Sequence, residues 1–237
     1  MVATRGLWTG LLGLLALPST SVAAYDRREC QAPTRNPLKG CPKNTLLVGP
    51  TEELTSVQEA VLSLPNNTVP YTILILPGNY TEQVNVTRQG PLTLLGQTNH
   101  PNDASKNTVN IVSSLTARVL NVEAQLTLDE IWHNATGTDT TGSYDNAYTS
   151  VLTIAPTFNA SATGSGPTGD PVDPNTPFGN YDFRTYNLNF INDYLPYSAG
   201  PSLALSMSYA NGGFYYTQFM SYQDTVRNRT ELKERNG

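Results

Sequence analysis

Gln223 and Asp224 place an amide and a carboxyl side by side at the end of an aromatic run, GFYYTQFMSYQDT, which spans Gly213 to Thr225. An amide side chain can donate hydrogen bonds to an oxyanion, and a carboxyl whose pKa is raised by burial can hand a proton to a leaving group. An Asp-Thr pair after a strand also makes an ordinary turn, with the carboxylate accepting from local backbone amides. On the dipeptide alone both readings stand. Phe214, Tyr215, Tyr216, Phe219 and Tyr222 are open in the same way: they can line a sugar-binding cleft, or serve as core and stacking residues. Asn187, Asn189 and Asn192, in the segment YNLNFIND, can form a polar ladder inside stacked coils or simply make turns. A Ser-His hydrolase built on Ser202, Ser206 or Ser208 is set aside, because there is no nucleophile-elbow motif and neither His100 nor His133 has an identifiable orienting partner. Two cysteines and two scattered histidines do not make a metal site.

One segment among the elements that must position these residues reads as a helix. Val57, Ala60, Val61 and Leu64 fall at i, i+3, i+4 and i+7, Thr55 and Gln58 can form a capping box, and Pro65 ends the run. Elsewhere the chain reads as short strands at Tyr71 to Leu76, Val84 to Val86, Leu92 to Leu95, Val109 to Val112, Val119 to Val122, Leu126 to Leu128 and Val151 to Ile154. Strands recurring at this spacing suit an all-β sandwich or the stacked coils of a solenoid, and periodicity does not choose between them. Between Ala155 and Asn180 the chain is rich in Pro, Gly, Ser, Thr and Asn, and strand-like sequence resumes directly afterwards, so residues 155–180 read as a long loop rather than a domain boundary.

Residues 1–24 read as a secretory signal, with Arg5 ahead of an apolar run over Leu7 to Leu17 and a small-residue cleavage site at Ser21 to Ala24. That run is too short to span a bilayer. Six Asn-x-Ser/Thr sequons, at Asn66, Asn79, Asn85, Asn134, Asn159 and Asn228, fit an oxidising, glycosylating pathway. Cys30 and Cys41, the only cysteines, suggest one disulfide closing a short N-terminal loop. A net charge of −5 with no basic stripe argues against nucleic acid and against an anionic membrane surface as partners.

Several ordered segments resemble the pectin methylesterase (pectinesterase) family, fungal type: TSVQEAVLSLP from Thr55, YTILILPGNYTEQVNVTRQGPLTLLGQT from Tyr71, NTVNIV from Asn107, FRTYNLNFIND from Phe183 and GPSLALSMSYANGGFYYTQFMSYQDT from Gly200. The resemblance implies an all-β, right-handed parallel β-helix over 43–225, with one N-terminal capping helix, preceded by residues 25–42 carrying the disulfide and followed by a divergent charged tail at 226–237. It implies hydrolysis of galacturonate methyl esters by aspartyl-ester chemistry without a cofactor. Asp224 matches the acid/base aspartate of the family's Tyr-Gln-Asp-Thr motif, Gln223 an oxyanion-stabilising glutamine, and Tyr222 a substrate contact. Ser202 stands where the family has its other glutamine and is a shorter donor. The partner implied is methyl-esterified pectin, met by a secreted, extracellular or cell-wall monomer.

The family's nucleophilic aspartate and arginine motifs belong downstream of Thr225, where VRNRTELKERNG matches neither. Arg227, Arg229 and Arg235 read as part of a solvated tail. The expectation is the N-terminal two-thirds of a pectinesterase, inactive alone; the alternative is a secreted, noncatalytic pectin-binding β-helix.

Overall fold

A computed structural model describes residues 25–115, 146–157, 160, 175–194 and 202–229. The signal segment, the expected strands at Val119 to Val122 and Leu126 to Leu128, His133, the sequons at Asn134 and Asn159, and Arg235 lie outside the described residues.

Thirteen strands among the described residues form three sheets, and every strand pair between them is parallel. The first sheet holds β1 (Thr45–Val48), β2 (Tyr71–Ile75), β5 (Leu92–Gly96), β8 (Phe183–Tyr186) and β11 (Gly212–Tyr215) in that spatial order. The second holds β3 (Gly78–Thr81), β6 (Val109–Ser113), β9 (Asn189–Asn192) and β12 (Gln218–Met220). The third holds β4 (Val84–Val86), β7 (Leu152–Ile154), β10 (Leu205–Ser208) and β13 (Val226–Arg229). From β2 onward the chain visits the sheets in rotation, so each circuit lays one strand on each sheet. This is a right-handed parallel β-helix, and a sandwich of antiparallel sheets is excluded.

Stacking of coils explains the sequence pattern strand by strand. Tyr80, Ile111, Phe190 and Phe219 occupy one register row and face the core, with the Phe190 and Phe219 rings stacked at 5.5 Å. Ile73 and Leu94 fill the equivalent row of the first sheet. Leu74 and Leu95, pointing to the opposite face, are buried too, packed with Cys30 beneath the N-terminal segment. A sheet covered on both faces reads as an unbroken apolar run, which is why Tyr71–Ile75 lacks alternation.

The helix α2 (Val57–Ser63) covers β4 near the start of the solenoid. Its N-cap is Ser56, whose hydroxyl accepts from the Glu59 amide at 3.1 Å, rather than the expected Thr55 and Gln58 pair. The decisive partner is remote in sequence. The Glu82 carboxylate accepts from Ser56 Oγ at 2.7 Å, from Val57 N at 2.9 Å and from Gln58 N at 2.8 Å, satisfying amides that the helix leaves orphaned. A second, five-residue helix, α1 (Arg27–Gln31), went unread because it is too short to show periodicity. Gln31 Nε2 holds it on the first sheet by donating to Gly96 O at 2.7 Å and to Asn187 Oδ1 at 3.1 Å. Cys30 and Cys41 are joined by a disulfide within this segment.

The three asparagines of YNLNFIND divide their roles. Asn189 belongs to a ladder on the outer face of the second sheet, where Asn189 Nδ2 donates to Asn110 Oδ1 and Asn110 Nδ2 to Asn79 Oδ1, each at 2.8 Å. Asn187 forms a turn at φ 55° and donates to Asn107 Oδ1 at 3.2 Å. A Cβ on Gly96 would run into the carbonyl oxygen of that turn, so the residue there must be glycine. Asn192 is a buried corner post, described below.

Candidate active site at a corner of the solenoid

The passage from the second sheet to the third is made by the turn Ser221–Thr225, between β12 and β13. Ser221 Oγ donates to Gln223 O at 3.3 Å and bonds Thr225 Oγ1 at 3.0 Å, closing the turn on itself. Within it Asp224 adopts φ 55°, a left-handed conformation that Asp tolerates better than most L residues. The result is an exposed Asp224 beside a half-buried Gln223. Tyr222 is 57% exposed.

The coil beneath supplies the floor. Ser202 pairs with Gln223 as an isolated antiparallel bridge, its amide donating to Gln223 O at 3.3 Å. Gln223, Asp224 and Ser202 are therefore brought together, though only the backbone of Ser202 takes part, since the residue is 2% exposed. Asn192 Nδ2 donates to Leu203 O at 3.1 Å, to Thr149 O at 2.9 Å and to Leu115 O at 2.9 Å, tying the segments next to β10, β7 and β6 into one corner. Thr149 Oγ1 accepts from Leu203 N at 2.9 Å. Sequence reasoning saw Asn192 only as a ladder or turn residue and missed Thr149 and Ser221 as supports. A polar residue at a strand end is common, and the shared corner exists only once the coils stack.

Val226–Arg229, read from sequence as the start of a charged tail, forms β13 and pairs with β10 in the register Leu205↔Val226. The solenoid thus continues past the turn, with Ala204 N and Leu205 N both donating to Thr225 O, at 3.0 and 3.1 Å. Of the aromatics, Phe214 and Phe219 pack against the core and meet edge-to-face at 5.1 Å, while Tyr215 stacks on Tyr186 at 4.7 Å. Arg27 lies over the Tyr186 and Tyr216 rings at 4.6 and 5.7 Å. These contacts make the run chiefly a stacking ladder and leave Tyr222 as the exposed aromatic of the turn. Among the described residues no three His, Cys, Asp or Glu side chains cluster to hold a metal ion, and no helix is long and apolar enough to cross a membrane.

No protein-family model matches the chain. Pectinesterase A of Emericella nidulans is 26% identical over 192 residues, covering 81% of this chain and 44% of that protein. A probable pectinesterase A of Aspergillus fumigatus is 26% identical over 217 residues, covering 92% of this chain and 49% of that protein. The chain is similar to the fungal pectinesterases. The fold agrees: the pectin methylesterase of Aspergillus niger superposes with a TM-score of 0.53 at 23% identity over 78% of this chain and 46% of that one. PemA, the pectin methylesterase of Erwinia chrysanthemi, superposes at 0.50 with 17% identity over 77% of this chain and 45% of that one. The chain spans about half the length of the curated proteins it matches, less than the two-thirds expected from its motifs.

Proposed function

We propose that this chain carries the acid/base half of a pectinesterase-type site and binds methyl-esterified pectin as a secreted, extracellular monomer. The observation that carries the reading is the turn Ser221–Thr225, which presents an exposed Asp224 and the Gln223 amide together, in a chain similar to pectinesterases over most of its length. In the chemistry proposed, a carboxylate nucleophile attacks the ester carbon and the Gln223 amide donates to the oxyanion that develops. Asp224, protonated, gives its proton to departing methoxide, so that methanol leaves; it then takes a proton from the water that hydrolyses the acyl-enzyme. Tyr222 offers a ring face to the sugar. Ser202 acts through its backbone bond to Gln223. A pectin methylesterase of the same fold is solved in complex with a hexasaccharide, which supports binding of a pectin oligosaccharide here.

The nucleophile and the arginine have no counterpart in residues 226–237 as the family's motifs would have them. The 237-residue polypeptide is therefore expected to release no methanol from highly methylated pectin above background, with or without Asp224→Asn. Joined in register to the C-terminal half of a fungal pectinesterase, it is expected to release methanol, and Asp224→Asn to abolish that release. Deletion of one member of such a constellation costs on the order of 10⁴ in rate or more. Methanol release by the 237 residues alone, lost on Asp224→Asn, would overturn the half-site assignment. Full activity of the joined Asp224→Asn protein would remove Asp224 from the chemistry. Noncatalytic pectin binding is the second reading, favoured by the exposed ring of Tyr222; it predicts retardation in a gel containing methylated pectin even where no methanol is released.

A further inference from the structure

We infer that Asn79 and Asn66 are N-glycosylated and that Asn85, by sequence an equally good sequon, is not, because the fold opens the first two side-chain nitrogens and closes the third. The inference rests on the secretory reading above and adds to it which sites are used. Three sequons lie close together at the start of the solenoid, Asn66-Asn67-Thr68, Asn79-Tyr80-Thr81 and Asn85-Val86-Thr87. All three threonines are exposed. What separates the sites is the environment of asparagine Nδ2, the atom that must carry the sugar.

Asn79 is exposed on β3, one of the two outer strands of the second sheet. Its Oδ1 accepts from Asn110 Nδ2 at 2.8 Å, at the end of the asparagine ladder, and among the described residues Nδ2 makes no hydrogen bond. A sugar on Nδ2 leaves that hydrogen bond in place. Asn66 repeats the arrangement in the turn after α2: it is exposed, and Oδ1 accepts from Gln89 N at 3.2 Å. Asn85 is the reverse. It is 5% exposed on β4 under α2, its backbone amide donates to Gln58 Oε1 at 2.6 Å, and its Nδ2 is sealed from solvent. A glycan there has no exit unless α2 lifts away.

The step needs a lipid-pyrophosphate-linked oligosaccharide and the host's membrane transferase. The asparagine Nδ2 displaces the pyrophosphate from sugar C1; the C1–N bond forms as the C1–O bond breaks, and one amide proton leaves to base. Once α2 has closed, Asn85 is out of reach of the transferase, and a molecule modified there beforehand does not close α2 and is missing from the folded, secreted protein.

The test is to express the full chain in a secreting yeast, once behind its own residues 1–24 and once behind a host leader, and to map glycopeptides of the secreted protein after enzymatic deglycosylation in ¹⁸O-water. Label is expected at Asn66 and Asn79 and none at Asn85. Thr68→Ala and Thr81→Ala should each remove one glycan, and Thr87→Ala, which spares the buried asparagine, should remove none. Label at Asn85 in folded secreted protein, or none at Asn79 behind the host leader, would overturn the inference. Secretion and this labelling pattern behind the host leader, but no secretion behind residues 1–24, would instead refute the secretory reading while the choice of sites stands.

Discussion

Asp224 shows how a single backbone angle carries a functional reading. An L residue at φ 55° is held there against its own preference, and Asp and Asn bear this better than Ala. Asp224→Asn is therefore expected to leave stability within about 0.5 kcal/mol, and Asp224→Ala to lower it by about 1 kcal/mol, both read from urea unfolding. Asn192 is the more sensitive residue. Its amide satisfies three carbonyls in a buried corner, so Asn192→Ala is expected to cost about 1–3 kcal/mol and to loosen the turn that holds Ser202 and Gln223. Tyr80 sets a pH dependence. Burial, with the Glu82 charge adding to it, pushes the phenol up to about 12 from 10.0. The folded protein keeps the proton that the unfolded chain releases first, so this contribution is intact below pH 10.0 and stability falls as pH rises toward about 12. Tyr80→Phe should flatten that alkaline fall in denaturant midpoints. Loss of stability between these pH values that is identical in wild type and Tyr80→Phe would contradict the assignment.

At the scale of elements, α2 depends on a carboxylate that lies across a strand rather than within its own first turn. Glu82 accepts three hydrogen bonds at the helix start and places negative charge at the positive end of the helix dipole. Glu82→Ala is expected to lose about 2 kcal/mol and to raise amide exchange across Val57–Ser63 before the rest of the molecule opens. Global unfolding without selective loss of helix protection would show that the cap is dispensable. The apolar spacing of Val57, Ala60, Val61 and Leu64 was legible because it is a local period. The remote carboxylate that completes the Ser56 cap was not, because Glu82 arrives from the turn after β3.

For the molecule as a whole, the N-terminal segment is a cover for the first sheet. Cys30 packs on Leu74 and Leu95, and Gln31 reaches Gly96 and Asn187, so one short segment ties together coils far apart in sequence. Replacing both Cys30 and Cys41 by Ala is expected to lower stability by about 3 kcal/mol, chiefly by freeing the unfolded chain, with the midpoint of urea unfolding as the measure. An unchanged midpoint would mean that packing alone holds the cover.

Local rules in the chain determined most of the strands from Tyr71 to Ile154 among the described residues, the helix over Val57–Ser63, and the Gln223-Asp224 pair as the chemistry to examine, since each depends on neighbours within a few residues. Choice between sandwich and solenoid was beyond periodicity, because both architectures ask for short apolar strands divided by turns. Only the stacked coils decided that Asn189 would join a ladder and Asn192 a buried corner, that β13 would extend the third sheet through residues rich in charge, and that Ser202 would meet Gln223 through its backbone. Those outcomes come from register between strands 20 to 80 residues apart, and register is set by the packing of whole coils rather than by any one strand.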